Sequence, residues 1–211
     1  MAKKTSRNSI IKLFAGVVFL IVAVVGLLYG SMLQEMSRAA NDYKQGDTEG
    51  ALKRYEGVEK RLRSLGALRF IPARDRQDLF LNQGRILYAL QKYDEAGERL
   101  DHETEVAGMI ADGRFLLLRG NIAYRKALSN FRDSPVRDVN VLEEQLLGAE
   151  DVLRDSLRLN PNDWDTKYNY EFINYIIKML NEGDEGDMKL LMEDVRIKEI
   201  QPQALPPEQQ M

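Results

Sequence analysis

The chain has 211 residues, with 30 lysines plus arginines, 33 aspartates plus glutamates, a formal net charge of -3, one histidine and no cysteine. These counts exclude a disulfide framework, a thiolate zinc site, a cysteine nucleophile and any site that needs two imidazoles. A hydrophobic share of 44% is that of a folded chain. The near-balanced charge argues against nucleic-acid binding, which favours a basic excess.

The average hides a division at the N-terminus. Lys3, Lys4, Arg7 and Lys12 lie in the first twelve residues, and no acidic residue precedes Glu35. Leu13 to Leu33 is a run of 21 uncharged residues, rich in Val, Leu, Ile and Phe. As a helix it spans roughly 30 Å, the thickness of a bilayer's hydrocarbon core. Apolar residues go all round it, unlike the one-sided helix of a soluble domain. A cleaved signal peptide would have a shorter apolar stretch and a small-x-small site, which Gly30-Ser31 matches poorly. The run therefore reads as an uncleaved anchor. Cations before it and an acidic region after it place the N-terminus in the cytoplasm. From Glu35 onward 26 basic residues face 33 acidic ones, a net of -7. In a bacterium this gives a cytoplasmic basic tail over 1–12, an inner-membrane span over 13–33 and a periplasmic domain.

From Glu35 to about Leu180 the apolar residues recur at three and four, and no alternating strand pattern appears. Only Pro72, Pro135 and Pro161 interrupt the region. The predicted fold class is all-α. Beyond it, 181–200 reads as an acidic, glycine-rich loop and a short C-terminal helix, and 201–211 as a disordered tail with Pro202, Pro206 and Pro207. The acidic run Asn181 to Asp187 lacks the spacing and closing glutamate of a calcium loop.

Three helical pairs share a pattern. Phe80, Gly84 and Leu87 precede Ala96 and Leu100; Ala39 and Tyr43 precede Gly46, Asp47, Ala51 and Tyr55; Gly120, Asn121 and Tyr124 precede Ala149, Leu153, Ser156 and Pro161. Small residues at Gly84 and Ala96 let two helices cross closely, and Leu87 and Leu100 fill the space beside them. Gly46 ends a helix, Asp47 caps the next, and Pro161 blocks continuation. Asn162 and Asp163 cap a last helix from Trp164 to about Leu180. The pattern resembles the tetratricopeptide repeat (TPR), a helical hairpin of about 34 residues. The resemblance covers 34–180 and implies a solenoid of helical hairpins. The intervals Ala51–Ala96 and Ala96–Ala149 are 45 and 53 residues. They require insertions, expected near Gly66–Arg76 and Lys126–Glu144.

A TPR-like domain implies a groove, lined by the first helix of each repeat, that holds a peptide or protein. In this register the groove carries Tyr43, Lys44, Arg85, Tyr88, Asn121, Tyr124 and Arg125, with Tyr175 of the last helix in the same register. Asn and Arg can bind a partner's backbone or carboxylates, and tyrosine gives broad contact. The competing reading makes the tyrosines inter-repeat packing and the arginines a solvated surface. His102, between Asp101 and Glu103, reads as a solvated side chain. Glu143-Glu144 and Glu150-Asp151 are sequence neighbours that do not face each other on a helix. No catalytic, metal or cofactor site is expected, and no small-molecule substrate or nucleic-acid partner. The stretch from Ser156 to Asp165, with Lys167-Tyr168-Asn169 and Glu171, is similar to the closing repeat of small anchored proteins of the MxaK-like and BatC-like group. Tyr170 departs from the leucine usual there. The similarity implies a place beside MoxR-type ATPases and von Willebrand A-domain proteins, in the assembly or maturation of a membrane complex. The expected function is thus a membrane-anchored, periplasm-facing adaptor for other envelope or membrane proteins; the alternative is a permanent structural subunit.

Overall fold

The computed structural model describes residues 3–107 and 112–182, with side chains described over 11–101 and 112–182. The sequence-based assignments for 181–200 and 201–211 lie outside this, apart from Asn181 and Glu182. Seven helices make up the described residues: α1 Lys3–Lys44, α2 Thr48–Ser64, α3 Ala73–Ala89, α4 Tyr93–Ala107, α5 Gly113–Asp133, α6 Val139–Leu159 and α7 Trp164–Glu182. No strand occurs among them. The fold is all-α, as the sequence predicts.

The helices pack as hairpins in chain order. The closest pairings are α1 with α2, α3 with α4, and α5 with α6, and α7 closes the last pair. Three apolar clusters follow this order. Met32, Met36, Ala39, Ala51, Tyr55 and Leu79 belong to the first, Leu81, Leu87, Ala96, Leu100 and Leu118 to the second, and Tyr124, Leu142, Leu146, Leu153 and Ile173 to the third. Helix α3 supplies residues to the first two clusters and α5 to the last two, so each is buried on two sides. That is the packing of a stack, in which each hairpin rests on its neighbours.

Small residues set the crossings. Ala51, Ala96 and Ala149 have no exposed surface. A Cβ at Gly84 would lie 3.1 Å from Leu100 Cδ2, and one at Gly120 would lie 2.5 Å from Leu153 Cδ2. The expected packing of Gly84, Leu87, Ala96 and Leu100 is therefore present.

The helix ends follow local chemistry. Gly46 has φ +89°, Gly66 +62° and Gln91 +61°. At each, the next residue's N–H reaches back five residues: Asp47 to Asp42 O, Ala67 to Leu62 O and Lys92 to Leu87 O. These are Schellman ends, which favour glycine at the left-handed position. Asp47, Asp112 and Asp138 cap α2, α5 and α6 by accepting from Gly50, Arg114 and Asn140 N–H.

The extra residues between successive hairpins take two forms. Irregular chain between α2 and α3 is confined to 65–72. Between α5 and α6 it is confined to 134–138. Lys126–Asp133 continues α5 and Val139–Glu144 begins α6, so the predicted insertion at Lys126–Glu144 is mostly helix. Ala127, Leu128 and Phe131 drive this by packing on the cluster that holds Leu142 and Leu146. Both arms of this hairpin have 21 residues, against 17 and 15 in α3 and α4.

Helix α1 runs unbroken from the basic tail through the uncharged run into the domain. Leu13, Phe14, Phe19 and Leu27 are 70–75% exposed, whereas Met32 is 5% and Met36 2% exposed. The helix is long and apolar enough to cross a membrane. Its C-terminal part is the first arm of the first hairpin.

Candidate partner-binding face

The side chains expected in a groove are mostly inside the stack. Arg85, Tyr88, Asn121, Tyr124 and Arg125 are buried, Tyr43 packs on the first cluster, and Lys44 is exposed at the end of α1. Five of the seven therefore form a polar seam between the first helices of the hairpins. Asn82 Nδ2 donates to Tyr55 Oη at 3.1 Å, and Arg85 Nη1 donates to Asn82 Oδ1 at 3.3 Å. Arg125 Nε donates to Tyr88 Oη at 3.3 Å and lies 6.0 Å from the Tyr124 ring. Asn169 Nδ2, on α7, donates to Asn121 Oδ1 at 2.9 Å. At one edge, Arg114 bridges Asp78 of α3, at 2.9 Å, and Asp112, at 2.7 Å.

Electrostatics distinguish the two arginines. Hydrogen bonding to Asp112 raises the Arg114 pKa. Burial pushes Arg85 down to about 10, and repulsion from Arg114 adds to the effect. Arg85 Nε and Nη2 and both polar atoms of the Gln83 side chain are buried without a hydrogen-bond partner. Such groups carry a desolvation cost with no return. Burial likewise pushes the Tyr55 phenol up.

The surface of the last helix is different. Trp164 is 75% exposed, Tyr168 49% and Tyr175 53%. Their spacing of four and seven puts them on one helical face. The Tyr168 ring stacks on Phe172 at 6.3 Å, and Lys167 Nζ lies 4.8 Å from the Trp164 ring centre. Asp163 fixes the start of the helix by accepting from Asp165 N–H and from Thr166 Oγ1. Exposed aromatics in a row are the residue types that dominate protein interfaces.

No family model matches the chain, and no curated protein or solved structure matches it either.

The four tyrosines assigned one register thus separate by environment. Tyr88 and Tyr124 are packing residues, Tyr43 is half-buried, and Tyr175 is at the surface. Trp164 and Tyr168 are absent from the sequence-based groove, although the 164/168/175 spacing signals a shared face. Of the carboxylate pairs, Glu150 is engaged by Arg154, and Glu143 accepts from Asn181 at 3.0 Å. The His102 side chain lies outside the described residues.

Proposed function

We propose that the chain is a single-pass inner-membrane protein, N-terminus in the cytoplasm, whose TPR-like domain is a periplasmic adaptor for other envelope proteins. The observation that carries the binding role is the aromatic face of α7. Among the described residues no hairpin follows α7 to cover its outer side. A chain with no binding task there favours polar residues; this one has Trp164, Tyr168 and Tyr175. Aromatic anchors flanked by a cation, here Lys167, suit a protein partner. The similarity of Ser156 to Glu171 to the closing repeat of MxaK-like and BatC-like proteins supports a narrower reading. The partners would then include a von Willebrand A-domain protein, in a complex whose assembly depends on a MoxR-type ATPase.

The test is co-purification from gently solubilised membranes. Wild-type protein is expected to carry a stoichiometric partner that is lost when Trp164, Tyr168 and Tyr175 are together changed to alanine. A partner retained by the folded triple variant removes α7 as the binding face.

A further inference from the structure

The turn between α2 and α3 is pinned to the first cluster by Leu68, and its outer side chains lie beside the apolar part of α1. A groove of about 620 Å³ is lined on one side by Val22, Val25 and Tyr29 of α1, and on the other by Leu65, Phe70 and Ile71. Its α1 side lies within the uncharged run Leu13–Leu33. If that run spans the bilayer, Tyr29, four residues before its end at Leu33, lies within about 6 Å of the surface, and the turn beside it sits at that boundary. Leu65 is 61% exposed and Phe70 75%. An aqueous setting would leave both apolar side chains in water.

The charge of this segment opposes that of its domain. Lys60, Arg61, Arg63, Arg69 and Arg74 fall within 60–74, which holds no acidic residue. Arg63 is held by Glu59 at 2.7 Å. Lys60, Arg61, Arg69 and Arg74 are exposed and make no ion pair among the described residues. The Arg69 guanidinium lies 4.8 Å from the Phe70 ring centre. Apolar tips ringed by unneutralised cations are the pattern of a segment seated at the headgroup boundary.

We infer that the α2–α3 turn inserts Leu65 and Phe70 into the leaflet around α1, while Arg61, Arg69 and Arg74 bind anionic lipid headgroups, so that the domain is seated on the membrane. The inference rests on the reading of α1 as a membrane span. It gives the stack a defined orientation instead of a free tether.

The test uses the full chain in vesicles of phosphatidylcholine with or without phosphatidylglycerol. Trp164→Phe removes the one native tryptophan. On that background Phe70→Trp reports the turn and Phe19→Trp the span. Position 70 is exposed, so the substitution leaves packing intact. The Phe70→Trp emission is expected to shift to the blue and to be quenched by lipid brominated high on its acyl chains. Phe19→Trp is expected to be quenched most by lipid brominated deep in the chains. Changing Arg69 or Arg74 to Gln should lower the ratio of inserted to withdrawn turn by roughly fivefold each in anionic vesicles, and little in neutral ones. A quenched Phe19→Trp beside a water-like, unquenched Phe70→Trp overturns the insertion and leaves the span standing. An unquenched Phe19→Trp overturns both. Arginine variants that match wild type in anionic vesicles overturn the headgroup role.

Discussion

Arg85 carries a charge into a site where only one of its described nitrogens, Nη1, has a hydrogen bond, to Asn82. Such a residue costs stability when protonated, because its pKa in the folded protein lies below that of an exposed arginine. The penalty is complete below about pH 10 and is relieved as the pH rises above that toward the range of an exposed arginine. Arg85→Met is therefore expected to match or exceed wild type in thermal stability at pH 8, by up to about 4 kcal/mol. The difference between the two should narrow toward pH 11. A melting curve lowered by several degrees at pH 8 would show that the guanidinium is structurally satisfied. Gly120 gives the opposite case. Its missing Cβ is where Leu153 Cδ2 sits, so Gly120→Ala should destabilise by about 1–3 kcal/mol in denaturant unfolding. No loss would mean that α5 and α6 can separate without penalty.

At the scale of elements, the three Schellman ends make a controlled comparison. Two use glycine at the left-handed position and one uses Gln91. Gln91→Gly is expected to stabilise the α3–α4 hairpin by about 1 kcal/mol, read as a higher denaturant midpoint with an unchanged slope. Hairpin identity was legible because small residues such as Gly84 and Ala96 mark crossings, and Gly46-Asp47 marks a turn between helices. The extent of the third hairpin was harder to read. Its core residues Leu142, Leu146, Ala149 and Leu153 recur at four, three and four, but no repeat consensus extends that far from Gly120. The groove was legible only as a list of residues on first helices. A linear register gives the helix face, not what covers it, and α3 and α5 are covered on two sides by neighbours. That is why Arg85, Tyr88, Asn121, Tyr124 and Arg125 became a buried seam. Tyr175, in the same register on α7, stayed at the surface because no further hairpin follows among the described residues.

Among the described residues a helix long and apolar enough to cross a membrane continues without a break into a stack of hairpins, since the C-terminal part of α1 is also the first arm. With α1 in a bilayer, as proposed, a rigid connection of this kind fixes the stack relative to the membrane more tightly than a flexible linker would. It lets the two ends of the domain do different work. In the proposed arrangement the α2–α3 turn faces the lipid, and α7, at the other end of the chain order, presents its aromatic face to a partner. On the proposed reading this face meets another envelope protein. The most direct measurement of that contact is photocrosslinking in intact cells, with a benzophenone side chain placed at Tyr168 and, as a control, at exposed Lys53 on α2. The account predicts a discrete adduct of one partner from position 168 that disappears when Trp164 and Tyr175 are changed to alanine, and none from position 53. No adduct from position 168, or the same adduct from both positions, would contradict it.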